Sequence, residues 1–330
     1  MLYGVKNPHG GDRYGDGIAL DFSANVSPLG TPKCVTEAIE RGLPELYRYP
    51  DPYCRALVQA IARYEGVPGE FILCGNGASE LIYAYCEAVR PGRAMELAPT
   101  FSEYSLALQR RGCGVVRFAL SQEEKFDLQE RFLARLAREK IDALFLCNPN
   151  NPTGTYVPIG ELEAFADTLP EDVLLVMDEA YMEFATEPDC CSMVDYMKAH
   201  PEKPILVLRT FSKYYAMAGL RVGYALGSEE LIGIMRKCSA SWNLNVCAQK
   251  AAVAGLADQE YYQEQKAKIV EGREYLEKEM AALGCRVYPS QSNFIYFDTG
   301  KDPAWIQEQL MEKGIRIGAF EMSRVSVGTM

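Results

Sequence analysis

The sequence predicts an α/β fold: a mostly parallel, seven-stranded sheet flanked by helices, followed by a smaller α+β domain. Three observations carry this. Between about residues 70 and 225, helix-like and strand-like patterns alternate, the order that builds crossover units and a parallel sheet. The strand candidates at 143–147, 174–178 and 205–208 are apolar almost throughout, as strands covered on both faces are. After about residue 230 the alternation stops and long helical patterns precede short strands.

Residues 1–32 are rich in Gly, Asn, Asp and Pro, with one short apolar piece at 18–22, and read as an extended N-terminal arm. Such arms are loose unless they lie across a partner or close over a site. His9-Gly10-Gly11 and Ser23-Ala24-Asn25-Val26-Ser27-Pro28 are too particular for mere slack, although loop chemistry alone accounts for the glycines. Helical patterns at 33–43 and 53–65 are split by Tyr47-Arg48-Tyr49-Pro50-Asp51-Pro52, where two prolines forbid helix. The large domain is placed at 33–235. Its strands are expected at 71–73, 94–98, 115–120, 143–147, 174–178, 205–208 and 222–227, with helices at about 79–90, 101–112, 128–139 and 159–169. The small domain, 236–330, takes helices at 244–257, 259–283 and 303–313 and strands at 293–297, 315–318 and 324–327. The chain stops at Met330, just past a strand, so a closing helix is expected in the natural protein.

The 330 residues carry 34 Lys and Arg against 45 Asp and Glu, a net charge of −11. That balance argues against a nucleic-acid or anionic-membrane surface. The 11 cysteines form no C-x-x-C, and two histidines, His9 and His200, give no zinc spacing. Reduced thiols in a cytoplasm are expected. No signal peptide, lipidation motif or long apolar span is present, so neither export nor membrane insertion is expected.

The chemistry concentrates in Leu208-Arg209-Thr210-Phe211-Ser212-Lys213, which begins where the apolar run 204–208 stops, with Arg221 eight residues beyond the lysine. A lysine held in a semi-apolar pocket has a lowered pKa and becomes nucleophilic towards aldehydes. The hydroxyls of Thr210 and Ser212 and the Arg221 guanidinium suit a dianionic phosphate. An aldehyde bearing a phosphate describes pyridoxal 5'-phosphate. Alone, Ser-Lys after a strand is more often an exposed loop.

Three upstream motifs bear on that choice, each at a strand end, where ligands of such sheets sit. Cys74-Gly75-Asn76-Gly77-Ala78-Ser79-Glu80 opens a helix; glycines admit an anion to the helix N-terminus, though Ser-Glu is also an ordinary helix start. Asn148-Pro149-Asn150-Asn151-Pro152-Thr153-Gly154 either forms a plain turn or presents an amide to a ligand oxygen. Val176-Met177-Asp178-Glu179-Ala180-Tyr181 ends an apolar strand on a carboxylate. There a carboxylate is costly without a cation or donor, and a protonated pyridine nitrogen would serve; so would a helix cap.

Together, in order and spacing, these motifs resemble the fold type I pyridoxal phosphate-dependent aminotransferases over nearly the whole chain. The resemblance implies that Lys213 forms the Schiff base and that Asp178 keeps the pyridine nitrogen protonated, making the ring an electron sink. It implies that Asn151 and Tyr181 donate to the ring phenolate and that Phe101 stacks on the ring. It implies further that the Ala78 and Ser79 amides, Thr210, Ser212 and Arg221 hold the phosphate, and that Tyr49 is lent across a homodimer interface. On the same resemblance Arg324 would clamp the substrate α-carboxylate bidentately, with Asn25 and His9 also on the substrate side.

Within that family the N-terminal third is similar to the threonine-phosphate decarboxylases, in His9-Gly10-Gly11, Asp21-Phe22-Ser23-Ala24-Asn25, Gly75-Asn76-Gly77 and Phe101-Ser102-Glu103-Tyr104. The C-terminal part is similar to the histidinol-phosphate aminotransferases, in Arg324-Val325-Ser326-Val327-Gly328-Thr329. The second arginine with which the decarboxylase grips its substrate's phosphate aligns with Gly318. Arg316 lies two residues earlier, on the same face of a continuous strand. Either Arg316 takes a phosphate or the substrate carries none. An aminotransferase acting on an amino acid or a phosphorylated amine is the expected reading, and the decarboxylase the alternative. A non-catalytic pyridoxal phosphate-binding module is a third, against which Lys213, Asp178 and Arg324 stand together.

Overall fold

The computed structural model describes residues 9–12, 17–126, 128, 130–319 and 322–327. In chain order its strands are β1 (Leu20–Asp21), β2 (Ile72–Gly75), β3 (Arg93–Ala98), β4 (Gly114–Ala119), β5 (Ala143–Cys147), β6 (Leu174–Asp178), β7 (Ile205–Thr210), β8 (Gly223–Gly227), β9 (Arg286–Tyr288), β10 (Phe294–Asp298), β11 (Ile315–Arg316), β12 (Gly318–Ala319) and β13 (Ser323–Ser326). The helices are α1 (Lys33–Gly42), α2 (Arg55–Glu65), α3 (Gly77–Val89), α4 (Glu103–Arg110), α5 (Glu130–Leu136), α6 (Ile159–Thr168), α7 (Met193–Ala199), α8 (Glu229–Cys238), α9 (Val246–Ala257), α10 (Gln259–Ala282) and α11 (Pro303–Met311).

The central sheet runs β2-β8-β7-β6-β5-β3-β4. Its pairs are parallel from β4 through β7, and β8 runs antiparallel to both its neighbours. Every residue of β5, β6, β7 and β8 is buried. Successive side chains leave a strand on opposite faces, and the two cores divide accordingly. Leu144, Leu146, Leu175 and Met177 pack into one, and Ala143, Phe145, Leu174 and Val176 into the other. Each fully buried large apolar side chain contributes about 1.5–3 kcal/mol. A four-stranded antiparallel sheet, β12-β13-β10-β9, forms the C-terminal unit.

One expectation changes, and two further features stand beside it. The strand expected at 315–318 is two strands: β11 pairs with β1 of the arm, and β12 pairs with β13. The backbone changes partner at Ile317, so Arg316 and Gly318 do not share one strand's face. The arm is tied down by that β1–β11 pairing and by Ser326 N donating to Phe22 O at 2.9 Å. The division expected after residue 235 falls inside α8, and α9 packs against α1 and α2.

The short α7 and β9, and α8, follow no pattern picked out from the sequence. The helix expected at 128–139 is the shorter α5, and residues 127 and 129 lie outside the described residues, as do Gly328, Thr329 and Met330. Among the described residues, no helix is long and apolar enough to cross a membrane. All 11 cysteines are free thiols.

Candidate active site

Three parallel strands end close together: Cys147 of β5 lies beside Asp178 of β6, and Asp178 beside Leu208 of β7, which runs on to Thr210. The turns that follow are stitched together, with Asn148 N donating to Asp178 O and Glu179 N to Leu208 O, each at 2.9 Å. The loops beginning at Asn148, Asp178 and Thr210 therefore open on the same carboxyl edge of the sheet, the place such sheets offer a ligand.

At that edge α3 begins. The Asn76 side chain donates to Asn243 O at 2.9 Å and does not cap the helix. The first-turn amides, those of Ala78 and Ser79 included, are thus left without a side-chain cap and favour an anion. Arg221, in the left-handed region at φ 56°, donates from Nη1 to Ser212 Oγ at 3.1 Å and Ala218 O at 3.2 Å. Ser212 N in turn donates to Thr210 Oγ1 at 3.1 Å. Two glycines permit the close approach: a Cβ on Gly77 would lie 2.3 Å from Arg221 Nη2, and one on Gly223 2.7 Å from Ala78 N. Helix terminus, hydroxyls and guanidinium make a cradle that fits a phosphate.

Lys213 stands next to it, its Nζ 5.8 Å from the centroid of the Tyr181 ring. Its carbonyl accepts from Ser27 N at 3.0 Å, so the arm fixes its backbone. Burial lowers the amine to about 8, helped by Arg324 and Arg221 and opposed by Asp178. Asp178 is buried, accepting from Tyr104 Oη at 2.6 Å on Oδ2 and from Ala180 N at 3.0 Å on Oδ1. Burial pushes its carboxyl up, while Tyr104, Ala180 and Lys213 hold it down.

Arg324 is buried and donates from Nη1 to Asn151 Oδ1 at 2.7 Å and from Nη2 to Ser23 O at 2.8 Å. Burial lowers it to about 10, opposed by Tyr181 and Tyr296, so it stays charged at neutral pH. The Tyr181 hydroxyl accepts from Asn25 Nδ2 at 3.1 Å, and Asn25 Oδ1 accepts from Ser326 Oγ at 2.8 Å. Arm, Asn-Pro loop and β13 thus meet around one guanidinium.

The structure brings Lys213, Asp178, Tyr181, Asn151, Asn25 and Arg324 together, and beside them Ala78, Ser79, Thr210, Ser212 and Arg221. Phe101 lies edge-on to Tyr104, centroids 5.5 Å apart. His9 is placed on the flank of Phe101, ring centroids 5.7 Å apart, with Nε2 2.7 Å from Glu103 Oε1. Arg316 donates to the Asp12 carbonyl of the arm, and the residue in register with Arg324 on β12 is Gly318. β11 belongs to a different sheet from β12, so Arg316 and Gly318 are not same-face neighbours on one strand beside Arg324. Tyr49 is 77% exposed and stacks on Trp242 at 4.7 Å. Tyr104 and Ser326 stand in motifs quoted from the sequence, but their contacts with Asp178 and Asn25 carry no mark there. Tyr104 follows Phe101 by three residues, a helical spacing, although α4 itself begins only at Glu103.

A partly buried amine, a phosphate cradle and a buried carboxylate at one sheet edge fit pyridoxal phosphate group for group, and define a pyridoxal phosphate-dependent transferase. The chain belongs to the aminotransferase class I and II family, whose model matches residues 18–329. It is 34% identical to a histidinol-phosphate aminotransferase of Moorella thermoacetica over 94% of this chain and 81% of that one. It is 37% identical to an aromatic amino acid aminotransferase of Thermobifida fusca, over 95% and 87% of the two chains. The histidinol-phosphate aminotransferase of Sinorhizobium meliloti, solved with pyridoxal 5'-phosphate, superposes with a TM-score of 0.88 at 29% identity, covering 94% of this chain and 87% of that one. The protein is a fold type I, pyridoxal phosphate-dependent aminotransferase of the histidinol-phosphate aminotransferase-like kind.

Proposed function

We propose that this enzyme moves the amino group of a small phosphorylated amine, histidinol phosphate, to a 2-oxo acid. Arg324 carries the reading: one buried guanidinium, its planar fork formed by Nη1 and Nη2, offers a fixed clamp for a single phosphate or carboxylate. The names of several relatives, that from Moorella thermoacetica among them, support the phosphate.

When bound, pyridoxal phosphate supplies an electron sink for negative charge at the substrate Cα. The chain's residues do the rest. Asp178 holds a proton on the ring nitrogen, and Asn151 and Tyr181 donate to the ring oxygen. Lys213, lowered to about 8, is the group that holds or gives up a proton at its Nζ near neutral pH. Arg324 would orient a bound substrate, and Phe101, beside Tyr104 and His9, would be the side chain to pack on the ring.

A second reading, transfer from an aromatic amino acid, is favoured by one observation: Arg316 is turned to the arm, and no side chain at Gly318 adds a cation beside Arg324. The relative from Thermobifida fusca points the same way. Threonine-phosphate decarboxylation is not favoured by the comparisons. The test is the holoenzyme given histidinol phosphate, aromatic amino acids or O-phosphothreonine, with 2-oxoglutarate, scoring glutamate formed against CO₂ released. Glutamate from histidinol phosphate supports the proposal; glutamate from aromatic amino acids alone replaces it by the second reading. CO₂ from O-phosphothreonine would restore the decarboxylase. Lys213→Ala should abolish turnover in every arm.

The working form on this reading is a cytoplasmic homodimer in which the exposed Tyr49 enters the partner's site, with His9 of the arm near the substrate. Sedimentation checks the dimer, and activity recovered by mixing Tyr49→Phe with Lys213→Ala subunits checks the sharing. We place the boundary between large and small domains along α10, since α9 packs with α1 and α2.

A further inference from the structure

Tyr104 has no part in the roles assigned above. It is wholly buried on α4, with Phe101 edge-on at 5.5 Å and Phe145 tilted at 5.3 Å, contacts that keep its ring from turning away. Its hydroxyl reaches Asp178 Oδ2 at 2.6 Å, while Ala180 N reaches Oδ1 at 3.0 Å. The carboxylate therefore carries one donor on each oxygen, from two separate elements. The other titratable groups around it are Cys147, its register partner on β5, Lys213 beyond β7, and Tyr181.

We propose that Tyr104 is a positioning residue for the cofactor's ring nitrogen, acting through Asp178: it sets the plane of the carboxylate and keeps it ionised. The proposal rests on the pyridoxal phosphate reading of the site. A buried carboxylate is driven towards its neutral form, and a carboxyl that has taken up its own proton can no longer hold one on a ring nitrogen. The Tyr104 hydrogen bond is the largest influence opposing burial at Asp178. Burial and the neighbouring Asp178 also push the phenol well above its ordinary range. The raised phenol keeps its own proton and so remains the donor to Asp178 Oδ2. Phenylalanine at this position keeps the ring packing and deletes the single donor.

The experiment loads ¹⁵N-labelled pyridoxal phosphate into the wild type, Tyr104→Phe, Asp178→Asn and the double variant. It reads the ring-nitrogen chemical shift against pH, and the dissociation constant by equilibrium dialysis. In Tyr104→Phe the ring nitrogen should lose its proton about one to two pH units lower than in the wild type, and the cofactor should bind about tenfold more weakly. With asparagine at 178, removing the hydroxyl should change neither reading further. A Tyr104→Phe titration that superposes on the wild type overturns the proposal. So does an equal shift in the asparagine background, which would mark an effect of packing. A wild type that takes up no pyridoxal phosphate would instead remove the reading of the site on which the proposal stands.

Discussion

Replacing Gly77 by alanine probes the phosphate cradle, and its effect can be worked from the geometry. Gly77 sits at φ 78°, where an L side chain costs about 1–2 kcal/mol. The new Cβ would lie 2.3 Å from Nη2 and 2.9 Å from Cζ of Arg221, so the guanidinium has to move. Moving it breaks the Nη1 bond to Ser212 Oγ, a charge-assisted interaction of about 1.5–3 kcal/mol. The backbone strain weighs on the apoprotein and holoprotein alike and leaves affinity untouched. Only displacement of Arg221 enters binding, and the same energy lost from a phosphate contact raises the dissociation constant about 10–150-fold. The assay titrates apoprotein with pyridoxal phosphate and, separately, with unphosphorylated pyridoxal. Pyridoxal phosphate should weaken by that factor while pyridoxal binding stays put. Equal weakening of both, or of neither, would refute the cradle.

Lys213 gives a pH dependence. Its amine is lowered to about 8, and the neutral form is the nucleophile. The rate at which apoprotein captures pyridoxal phosphate should therefore rise about tenfold per pH unit below 8 and level off above it; a flat profile between pH 6 and 8 contradicts the assignment. Between about 8 and its ordinary 10.5 the unfolded chain binds the extra proton, so apoprotein stability should rise with pH across that window, as urea midpoints would show. Arg324→Lys keeps the charge but loses the fork, and kcat/KM should fall about tenfold or more for every substrate alike; a loss confined to one side-chain class excludes the clamp. Arg316→Ala should speed amide exchange at residues 9–12 without changing substrate preference. A selective loss of phosphorylated substrates would return Arg316 to the pocket.

How far the molecule could be read from its sequence depends on the range of the physics involved. Local physics sufficed for the parallel sheet, because apolar runs bounded by turn residues write strands directly. It sufficed also for the loop ends bearing Asn151, Asp178 and Lys213, since each follows its own strand within a few residues. The break at Ile317 had no such mark. Arg316 and Gly318 look like same-face neighbours until the backbone is seen to leave one sheet for another, and only the pairing with Leu20 and Asp21 of the arm reveals it.

The amino-acid sequence by itself determined the fold class, the strand-end motifs and the chemistry those residue types offer an aldehyde and a phosphate. The tertiary structure alone decided that Tyr104 meets Asp178 across 74 positions, that Asn25 meets Tyr181 across 156, and that Arg324 is held by Ser23 across 301. Propensity and periodicity act over a turn of helix or the length of a strand. A hydrogen bond between distant segments exists only because packing has already brought them within about 3 Å, and nothing in either segment records the other.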